Sequence, residues 1–559
     1  MLLTGAEILV RALIDEGVDT IFGYPGGAVL NIYDELYKYR DSLEHILTCH
    51  EQGASHAADG YARATGKVGV CLATSGPGAT NLVTGIATAY MDSVPMVAIT
   101  GNVPKSLLGK DSFQEVDIAG ITMPITKHNY IVKDINELQK TINQAFYIAK
   151  EGRPGPVLID IPKDITAEKA IYEKKEPKKV ERKIKHITNE SLEEVAEYIN
   201  QSNKPFIYAG GGIQISEATE GLLQLAEKIN APVSTTLMAT GVIPCEHRLN
   251  MGMIGMHGSK ASNILATKCD LIITLGARFS DRVVSNQNHI RNAKIVQIEV
   301  DPAEINKNIK VDGCISGDVN EALTKLIPLL DKKKNEEWLE LAQELKEQRA
   351  IDNSFEGELT PAFLFKKLSE LDKNNEFIIT TEVGQHQMWA AQYFNYKKPR
   401  TFISSGGLGT MGYGLGAAIG ANIAKPNNIV INIAGDGSFG MNCNEFATAV
   451  KYNIPIKVII MNNNALGMVR QWQSFFYEER YSHTTLDRST DFVKLAEAFG
   501  GTGFRVSRKE DLEDILNQTL EIKGPVIVDY VIENNKKVFP MVAPGAPINQ
   551  IICEEDLNN

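Results

Sequence analysis

The chain has 559 residues, which at about 150 residues per domain predicts three or four domains. Acidic residues outnumber basic ones by 69 to 57, giving a net charge of −12 at pH 7, so the basic face that nucleic-acid binding needs is not expected. Hydrophobic residues make up 43% and charged residues 23%, ordinary values for a globular chain that exclude disorder as the main state.

Short apolar runs alternate with helical patterns along the chain. The runs occupy 68–73, 96–100, 157–160, 206–209, 271–275, 295–300, 429–433 and 456–461. This alternation predicts an α/β protein built from doubly wound parallel sheets. Since ligands of such sheets bind at the carboxyl ends of the strands, functional residues are expected just after these runs.

Two charged stretches without strand patterns, 173–185 and 331–358, divide the chain. The second contains a polar helical pattern around Trp338 followed by a loop, and charge runs of this kind are typical of solvated linkers. We therefore predict three domains of similar length, at 1–170, 188–330 and 358–540.

Residues 402–424 carry no charge and contain Gly412, Gly416 and Gly420 at GxxxG spacing, which is also the pattern of a transmembrane dimerisation face. Small and hydroxyl residues dominate the segment, however, rather than the Leu, Ile and Phe that favour insertion. We predict a buried helix whose small residues let another backbone come close, and no membrane association.

The seven cysteines are odd in number, widely scattered and contain no Cys-x-x-Cys pair, which favours reduced thiols over a disulfide framework or a zinc ribbon. The amino terminus enters a helical pattern at once and carries Glu7 and Asp15, unlike a signal or transit peptide. We therefore expect a cytoplasmic protein.

The most informative segment joins the apolar runs 429–433 and 456–461. The first run leads into Gly-Asp-Gly around Asp436, and the second leads into Asn463, 27 positions later. One strand-helix-strand crossover has this length, so both oxygen-bearing side chains are expected at one sheet edge, where they suit Mg²⁺. A helix predicted to begin near Asn442 would direct its amino end at a diphosphate.

This segment closely resembles the cofactor motif of thiamine diphosphate-dependent enzymes, which begins Gly-Asp-Gly and ends Asn-Asn. The resemblance implies that Asp436, Asn463 and the main-chain oxygen of Ala465 bind Mg²⁺. Residues 48–54 resemble the family segment whose glutamate hydrogen-bonds to the pyrimidine ring, which implies this role for Glu51. In that family the glutamate and the metal motif of one site belong to different subunits, so a homodimer or homotetramer is implied.

The resemblance assigns thiamine diphosphate to an N-terminal pyrimidine-binding domain and a C-terminal diphosphate-binding domain. The implied binding residues are Pro25, Glu51, Gly76, Asn81, Val383, Gly384, Gln385, His386, Gly409, Met411, Gly435, Asp436, Gly437, Ser438, Asn463, Leu466, Gly467 and Met468.

Nearly the whole chain resembles the large catalytic subunit of the acetohydroxyacid synthase family, also called acetolactate synthases, of the biosynthetic type. The matching motifs lie at 23–27, 113–115, 467–473 and 476–481. The resemblance implies that pyruvate is decarboxylated and that its hydroxyethyl group is joined to a second pyruvate, giving 2-acetolactate, or to 2-oxobutanoate, giving 2-aceto-2-hydroxybutanoate. These products lead to valine, leucine and isoleucine. Whether a small regulatory subunit binds is left open.

The same resemblance assigns residues to catalysis and to substrate binding. The implied catalytic residues are Gly27, Glu51, Gln114 and Lys163. The implied substrate-binding residues are Phe113, Met256, Arg282, Met468 and Trp472. Arg282 would face the carboxylate of the second 2-oxo acid, and Trp472 with Met256 would favour 2-oxobutanoate.

Glycine-rich turns follow three apolar runs of the middle domain, a weak dinucleotide signal by itself because none is a G-x-G-x-x-G motif. In the resembled family this domain binds FAD, which has no redox role in the net reaction. The implied FAD residues are Arg153, Gly210, Gly211, Gly212, Met253, Gly255, Met256, His257, Gly276, Ala277, Arg278, Arg282, Glu299, Asp318 and Gly407. The segment 278–284 is similar to the biosynthetic branch.

One departure from the family is Gly416, which stands where proline is usual. Three other functions stay open at this point. They are an FAD-independent catabolic acetolactate synthase, a pyruvate oxidase or 2-oxo acid decarboxylase on the same scaffold, and a cofactor-binding protein without catalysis.

Overall fold

The computed structural model describes residues 1–180, 186–283, 293–348 and 359–557. Within them lie three parallel six-stranded sheets with helices on both faces, which confirms the predicted α/β class. The sheets occupy 20–162, 205–316 and 377–531, inside the three predicted domains. The domain start at 358 and parts of both predicted linkers, 181–185 and 349–358, lie outside the described residues, so the exact boundaries stay predictions.

In spatial order, the strands of the N-terminal sheet are Glu44–Leu47, Thr20–Gly23, Gly69–Ala73, Met96–Asn102, Pro156–Pro162 and His128–Ile131. Those of the middle sheet are Asn250–Met253, Val233–Thr235, Pro205–Ala209, Leu271–Leu275, Lys294–Glu299 and Gly313–Ser316. Those of the C-terminal sheet are Phe402–Ile403, Phe377–Thr381, Ile429–Gly435, Lys457–Asn462, Val526–Val531 and Thr502–Val506. Two small antiparallel sheets pair Leu2–Thr4 with Lys169–Ile171 and Met541–Val542 with Ile551–Ile552.

The crossovers between strands are mostly α-helical. The helices of the N-terminal part are Gly5–Asp15, Leu30–Lys38, Glu51–Thr65, Pro77–Asn81, Val83–Met91, Ile118–Thr122, Ile135–Lys150 and Lys163–Ala167. Those of the middle part are Asn189–Gln201, Gly212–Ile215, Thr219–Ile229, Lys260–Lys268, Val319–Leu326 and Glu336–Glu347. Those of the C-terminal part are Pro361–Leu371, Gln385–Tyr393, Gly414–Ala424, Asp436–Asn442, Glu445–Lys451, Gly467–Phe476, Phe492–Phe499 and Leu512–Glu521.

The strand order separates the middle sheet from the other two. Counted within each domain, the N-terminal and C-terminal sheets share the order 2-1-3-4-6-5, whereas the middle sheet has the order 3-2-1-4-5-6. The latter is the order of dinucleotide-binding folds, in which the ligand lies where the strand order reverses. In the middle sheet that point lies between Pro205–Ala209 and Leu271–Leu275.

Each sheet is covered by apolar clusters on both faces, because its central strands are buried at nearly every position. The helix Glu336–Glu347, inside the stretch predicted to be a solvated linker, packs on the middle domain through Trp338, Ala342 and Leu345. The Trp338 Nε1–H donates to the Pro205 carbonyl at 2.9 Å. The helix predicted around Trp338 is therefore present, but the prediction that it is a solvated linker is wrong, since its apolar stripe supplies enough buried area to dock it.

The segment 402–424 contains a helix, Gly414–Ala424, that is almost entirely buried, as predicted. It crosses the helix Glu51–Thr65, and a Cβ on Gly420 would lie 1.8 Å from the Ala57 carbonyl oxygen. The small residues thus allow the backbones of the first and third domains to touch. No helix in the described part of the chain is long and apolar enough to cross a membrane.

Replacing Gly420 by alanine is expected to destabilise this helix crossing by about 1–3 kcal/mol, because the added methyl group meets backbone that cannot rotate away. The matched control is Gly221→Ala in the helix Thr219–Ile229, where the new Cβ meets only the Leu323 side chain. Urea unfolding should give a lower midpoint for Gly420→Ala and an unchanged or higher one for Gly221→Ala. Equal midpoints for the two variants would contradict the close contact.

Candidate active site

A cleft opens at the carboxyl edge of the C-terminal sheet. The strands Ile429–Gly435 and Lys457–Asn462 lie side by side, with Gly435 opposite Met461, so the residues that follow them meet at this edge. The lining residues are Val383, Gly384, Gln385, His386, Trp389, Met411, Gly435, Asp436, Gly437, Ser438, Met461, Asn463, Ala465, Leu466, Gly467, Met468 and Val469. Gly409 is the one residue predicted for this half that is not in the lining, and a Cβ added to it would lie 4.0 Å from the Val383 Cγ1.

The helix after the first strand starts earlier than predicted. It runs from Asp436 to Asn442, and a second helix begins at Glu445, so the prediction of a start near Asn442 is wrong. The strand ends at Gly435 and the helix follows at once, with a carboxylate in its first turn, where the helix dipole favours negative charge. The backbone N–H groups of this first turn, which have no partner within the helix, therefore lie directly at the end of the strand Ile429–Gly435.

Three oxygen atoms of the cleft form a donor set that fits a hard cation. Burial raises the pKa of the Asp436 carboxyl to about 6, while backbone hydrogen bonds from Gly437 and from its own amide oppose this. The Asn463 Oδ1 accepts the Ala465 N–H at 3.1 Å. This turn keeps Ala465 beside Asn463 in the cleft lining. One carboxylate, one amide oxygen and one main-chain oxygen are ligands of the type that Mg²⁺ takes.

Buried polar atoms in the same cleft fit an anionic ligand. His386 is buried, and burial lowers the pKa of its ring to about 3, so the ring is neutral at pH 7. Its Nε2 and the Ser438 Oγ have no hydrogen-bond partner in the described structure. A Cβ on Gly384 or Gly435 would lie within 2.8 Å of the His386 ring, so these glycines make room for it. Unpartnered buried polar groups next to a helix amino end are suited to phosphate oxygens.

Gln471 is a cleft-supporting residue that the sequence analysis missed. It is buried, its Oε1 accepts from the Gln385 Nε2 at 2.9 Å and from the Val538 N–H at 2.8 Å, and its Nε2 donates to the Val538 carbonyl. The residue lies within the motif 467–473, but only the tertiary contact with Gln385 shows that it holds the lining in place.

The loop between Phe402–Ile403 and Gly414–Ala424 carries Gly409, with a φ of +70°, and Met411. The buried carboxylate of Asp92 holds this loop by accepting the N–H groups of Gly406 at 2.9 Å and Gly407 at 2.7 Å. Asp92 also pairs at 2.9 Å with Arg63, whose side chain is 10% exposed. Asp92 is a second residue that sequence reasoning missed, because it lies in the N-terminal domain far from the motif it supports.

The predicted glutamate lies at the carboxyl edge of the N-terminal sheet. Glu51 is buried, begins the helix Glu51–Thr65, and accepts a hydrogen bond from the Asn81 Nδ2 at 2.9 Å. Gly76, with a φ of +58°, lies against the backbone of Gln114, since a Cβ there would be 2.7 Å from the Gln114 carbonyl oxygen. The structure thus brings four of the predicted residues together on one face.

This face and the cleft are separate within one chain. The cleft is lined by residues of 383–469 alone, in the part of the chain that the structure describes. On the N-terminal face Gly27 and Lys163 are exposed, Pro25 is half-buried, and the Phe113 side chain is 88% exposed. The predicted residues therefore form two separate groups in one chain. We call the cleft the C-terminal half-site, and the face around Glu51 the N-terminal half-site.

The predicted substrate residues lie on all three domains, with Phe113 on the N-terminal face and the other four on the middle and C-terminal domains. Met468 and Trp472 lie on the helix Gly467–Phe476, where Trp472 stacks edge-on against Phe476 with ring centres 5.6 Å apart. In the middle domain the exposed Arg282 donates from its Nη1 to the Met256 Sδ at 3.7 Å. The Met256 carbonyl accepts the Val542 N–H at 2.8 Å, so this loop is tied to the C-terminal tail.

The predicted FAD residues gather at the carboxyl edge of the middle sheet and around it. Gly210–Gly212 and Gly276–Arg278 follow the two strands that flank the point of strand reversal. A Cβ on Gly210 would lie 2.2 Å from the Gly276 carbonyl oxygen, so these turns pack tightly against each other. Asp318 caps the helix Val319–Leu326.

The remaining predicted FAD residues include three titratable side chains and a loop after the strand Asn250–Met253. Burial raises the pKa of Glu299 to about 7, and burial lowers the pKa of His257 to about 4. Arg153 donates to the Ser93 Oγ at 2.7 Å and to the Glu304 Oε1 at 2.8 Å. Met253 ends a strand and Gly255 follows with a φ of +118°. The end of the predicted branch-specific segment, Val284, lies outside the described residues.

Comparison with known proteins identifies all three domains. The family models that match are those of the thiamine pyrophosphate enzyme N-terminal TPP binding domain over residues 3–121, the central domain over 192–326 and the C-terminal TPP binding domain over 382–530.

Relatives match over nearly the whole chain. The probable acetolactate synthase large subunit of Methanocaldococcus jannaschii is 48% identical over 563 residues, covering 98% of this chain and 95% of the relative. The acetolactate synthase of Mycobacterium bovis is 47% identical, covering 98% and 91%. The acetolactate synthase large subunit of Pyropia yezoensis is 45% identical, covering 98% and 95%. The chain therefore belongs to the acetolactate synthase large-subunit family of thiamine pyrophosphate enzymes.

Proposed function

We propose that this protein is a biosynthetic acetohydroxyacid synthase that uses thiamine diphosphate, Mg²⁺ and FAD. It releases CO₂ from pyruvate and joins the remaining two-carbon unit to a second pyruvate, giving 2-acetolactate, or to 2-oxobutanoate, giving 2-aceto-2-hydroxybutanoate. The observation that carries the proposal is the cleft in which Asp436, Asn463 and Ala465 offer oxygen ligands beside the unpartnered polar atoms of His386 and Ser438.

In the C-terminal half-site, Asp436, Asn463 and the Ala465 carbonyl would bind Mg²⁺, and Gln385, His386 and Ser438 would bind the diphosphate. Met411 and Gly409 would hold the cofactor from the loop that Asp92 fixes. When bound, thiamine diphosphate supplies a carbon nucleophile for the 2-oxo acid and an electron sink for decarboxylation.

In the N-terminal half-site, Glu51 would hold and transfer a proton at the pyrimidine ring, with the Asn81 amide fixing the carboxylate. Gln114, Lys163, Phe113 and Gly27 would line the substrate channel. Because the two half-sites are separate within one chain, we propose that they meet between subunits, which makes a homodimer the smallest active unit. The relatives are named large subunits, so we also propose that a small regulatory subunit binds.

The acceptor would be selected by Arg282, Met256 and Trp472. The Arg282 guanidinium is charged and exposed, and a planar cation of this kind binds carboxylates at two points. Its contact with Met256 places it beside an apolar side chain that can pack against the extra methylene of 2-oxobutanoate.

Two features of the middle domain support FAD. Its strand order is that of dinucleotide-binding sheets, and glycine turns follow both strands at the point of reversal. The cysteines of the described residues form no disulfide, which supports the proposal of a reducing, cytoplasmic location.

Product analysis tests the proposal. The purified protein is incubated with pyruvate and 2-oxobutanoate in the presence of Mg²⁺ and thiamine diphosphate, with and without FAD, and both acetohydroxy acids are quantified. FAD-dependent products that favour 2-aceto-2-hydroxybutanoate would support it. Acetolactate alone, independent of FAD, would instead indicate a catabolic acetolactate synthase. Acetaldehyde or acetate would indicate a decarboxylase or an oxidase, and no turnover would indicate a cofactor-binding protein.

Replacing Trp472 by leucine is expected to leave acetolactate formation within a fewfold of the parent while the preference for 2-oxobutanoate falls about tenfold, since one methylene in an apolar pocket is worth 1–3 kcal/mol. The product ratio in a mixture of both 2-oxo acids measures the effect. Trp338→Leu, which changes a buried tryptophan packed on the middle domain, is the control and should not alter the ratio. An unchanged ratio in Trp472→Leu would remove this residue from the specificity pocket.

A further inference from the structure

A buried carboxylate of the C-terminal domain, Glu445, lies against the segment that carries Glu51. Its side chain is 0% exposed. Its Oε1 accepts the His50 N–H at 2.9 Å, and its Oε2 accepts the Cys49 N–H at 3.2 Å and the Thr448 hydroxyl at 2.7 Å. Glu445 therefore holds both backbone amides that immediately precede Glu51.

The backbone of the N-terminal domain is shaped to admit this carboxylate. A Cβ on Gly53 would lie 2.2 Å from the Glu445 Oε1, so only glycine leaves the necessary space. The Cys49 and His50 amides lie between the strand Glu44–Leu47 and the helix Glu51–Thr65, outside the hydrogen-bond ladders of both. Without Glu445 both amides would lose these hydrogen bonds, which costs free energy and loosens the segment.

The position of Glu445 also suits its charge. A carboxylate at the amino end of a long helix is favoured by the helix dipole, and the helix Glu51–Thr65 has 15 residues. Burial raises the pKa of the Glu445 carboxyl, hydrogen bonds from Thr448, Cys49 and His50 oppose this, and the charge of Glu51 adds to it.

We infer that Glu445 is a positioning residue for Glu51: it fixes the Cys49–His50 backbone and so sets the place of the Glu51 carboxylate, while the Asn81 amide holds that carboxylate from the other side. The inference rests on the proposed function, because it takes Glu51 as the group that acts on the cofactor. Glu445 is not among the residues that line the cleft, so we assign it a role that acts through Glu51.

The test compares the full-length parent with Glu445→Gln in the presence of Mg²⁺ and thiamine diphosphate. The amide keeps the shape but offers one oxygen for two backbone N–H groups. We expect kcat to fall about tenfold, while the KM for pyruvate and the half-saturating thiamine diphosphate concentration stay within about twofold, since the diphosphate half-site is untouched. Glu445→Ala should lower kcat further.

Two readouts do not depend on turnover. Hydrogen exchange of the peptide containing Cys49 and His50 should become faster in Glu445→Gln. Exchange of the ring proton at the reactive carbon of bound thiamine diphosphate, followed by NMR, should become slower, because it depends on a correctly placed Glu51. Both can be measured without substrate, so they decide about Glu445 even if the parent enzyme forms no acetohydroxy acid and the proposed function fails.

A matched control separates positioning from stability. Asp134 caps the helix Ile135–Lys150, another long helix of the same domain, by accepting the Asn136 N–H. Asp134→Ala should lower the thermal midpoint by a few degrees with no change in kcat or in cofactor proton exchange. If Glu445→Gln behaves like this control, with faster amide exchange but normal kcat and normal cofactor exchange, the inference is overturned.

If Glu445→Gln does not fold, Thr448→Val gives the same information. It removes the hydroxyl, which donates to the Glu445 Oε2 at 2.7 Å and also contacts the Cys49 Sγ at 3.6 Å, and it keeps the volume of the side chain. A smaller decrease of kcat and of cofactor proton exchange, without a change in thiamine diphosphate affinity, would support the inference. Unchanged values for both would contradict it.

Discussion

Replacing Asp436 by asparagine is expected to weaken the binding of Mg²⁺ and thiamine diphosphate at least about 100-fold and to abolish most of the activity, because the proposed metal site would lose its single carboxylate. Asparagine keeps the shape of the side chain and its place in the first turn of the helix Asp436–Asn442. Isothermal titration of the variant with thiamine diphosphate, at fixed Mg²⁺, measures the loss directly.

The control for this experiment is Asp491→Asn. Asp491 belongs to the same domain and caps the helix Phe492–Phe499 by accepting the N–H groups of Val493 and Lys494, a task that asparagine also performs. The Asp491→Asn variant should bind thiamine diphosphate with the affinity of the parent protein. Normal cofactor affinity in Asp436→Asn would show that the metal is held elsewhere.

The second large effect is expected for Glu51→Gln. Turnover should fall about 100-fold or more, the range for loss of a proton-transferring group, while thiamine diphosphate still binds. Thiamine diphosphate should still bind because Glu51 lies outside the cleft that would hold the diphosphate and the metal. Steady-state kinetics at saturating cofactor, together with cofactor titration, distinguish the two effects.

Glu137→Gln is the matched control, because Glu137 also lies in the first turn of a long helix of the N-terminal domain, but on the surface, where it pairs with Lys140. It should change neither turnover nor cofactor binding. Turnover near that of the parent in Glu51→Gln would remove Glu51 from its proposed role.

Much of the fold could be predicted because its signals are local. Runs such as 271–275 are apolar at almost every position, as strands covered on both faces must be, and the structure has a strand from Leu271 to Leu275. The spacing of Asp436 and Asn463 likewise predicted neighbouring strands, since one crossover links them. Where the local signal was ambiguous, the predictions were wrong, as for the start of the helix Asp436–Asn442 and the docking of the Trp338 helix.

The polar supports of the two half-sites could not be predicted. Asp92 holds Gly407 across 315 positions, and Glu445 holds His50 across 395. Neither residue differs in the sequence from an ordinary surface acid, because nothing local marks an acidic side chain as buried. Gln471 was within a recognised motif, but its bond to Gln385 spans 86 positions and depends on how two helices pack.

The sequence by itself determined the class of fold, the pairing of Asp436 with Asn463 at one sheet edge and the resemblance of its motifs to one enzyme family, because each depends on residue types at short or fixed spacing. Only the tertiary structure decided how the two half-sites lie in one chain: in the described residues the cleft is lined by residues of 383–469 alone, without Glu51, as the family's use of two subunits had implied. It also decided which distant carboxylates support them. The physical reason is that a buried charge is stabilised only by donors that the folded chain brings to it, and that arrangement has no local signature.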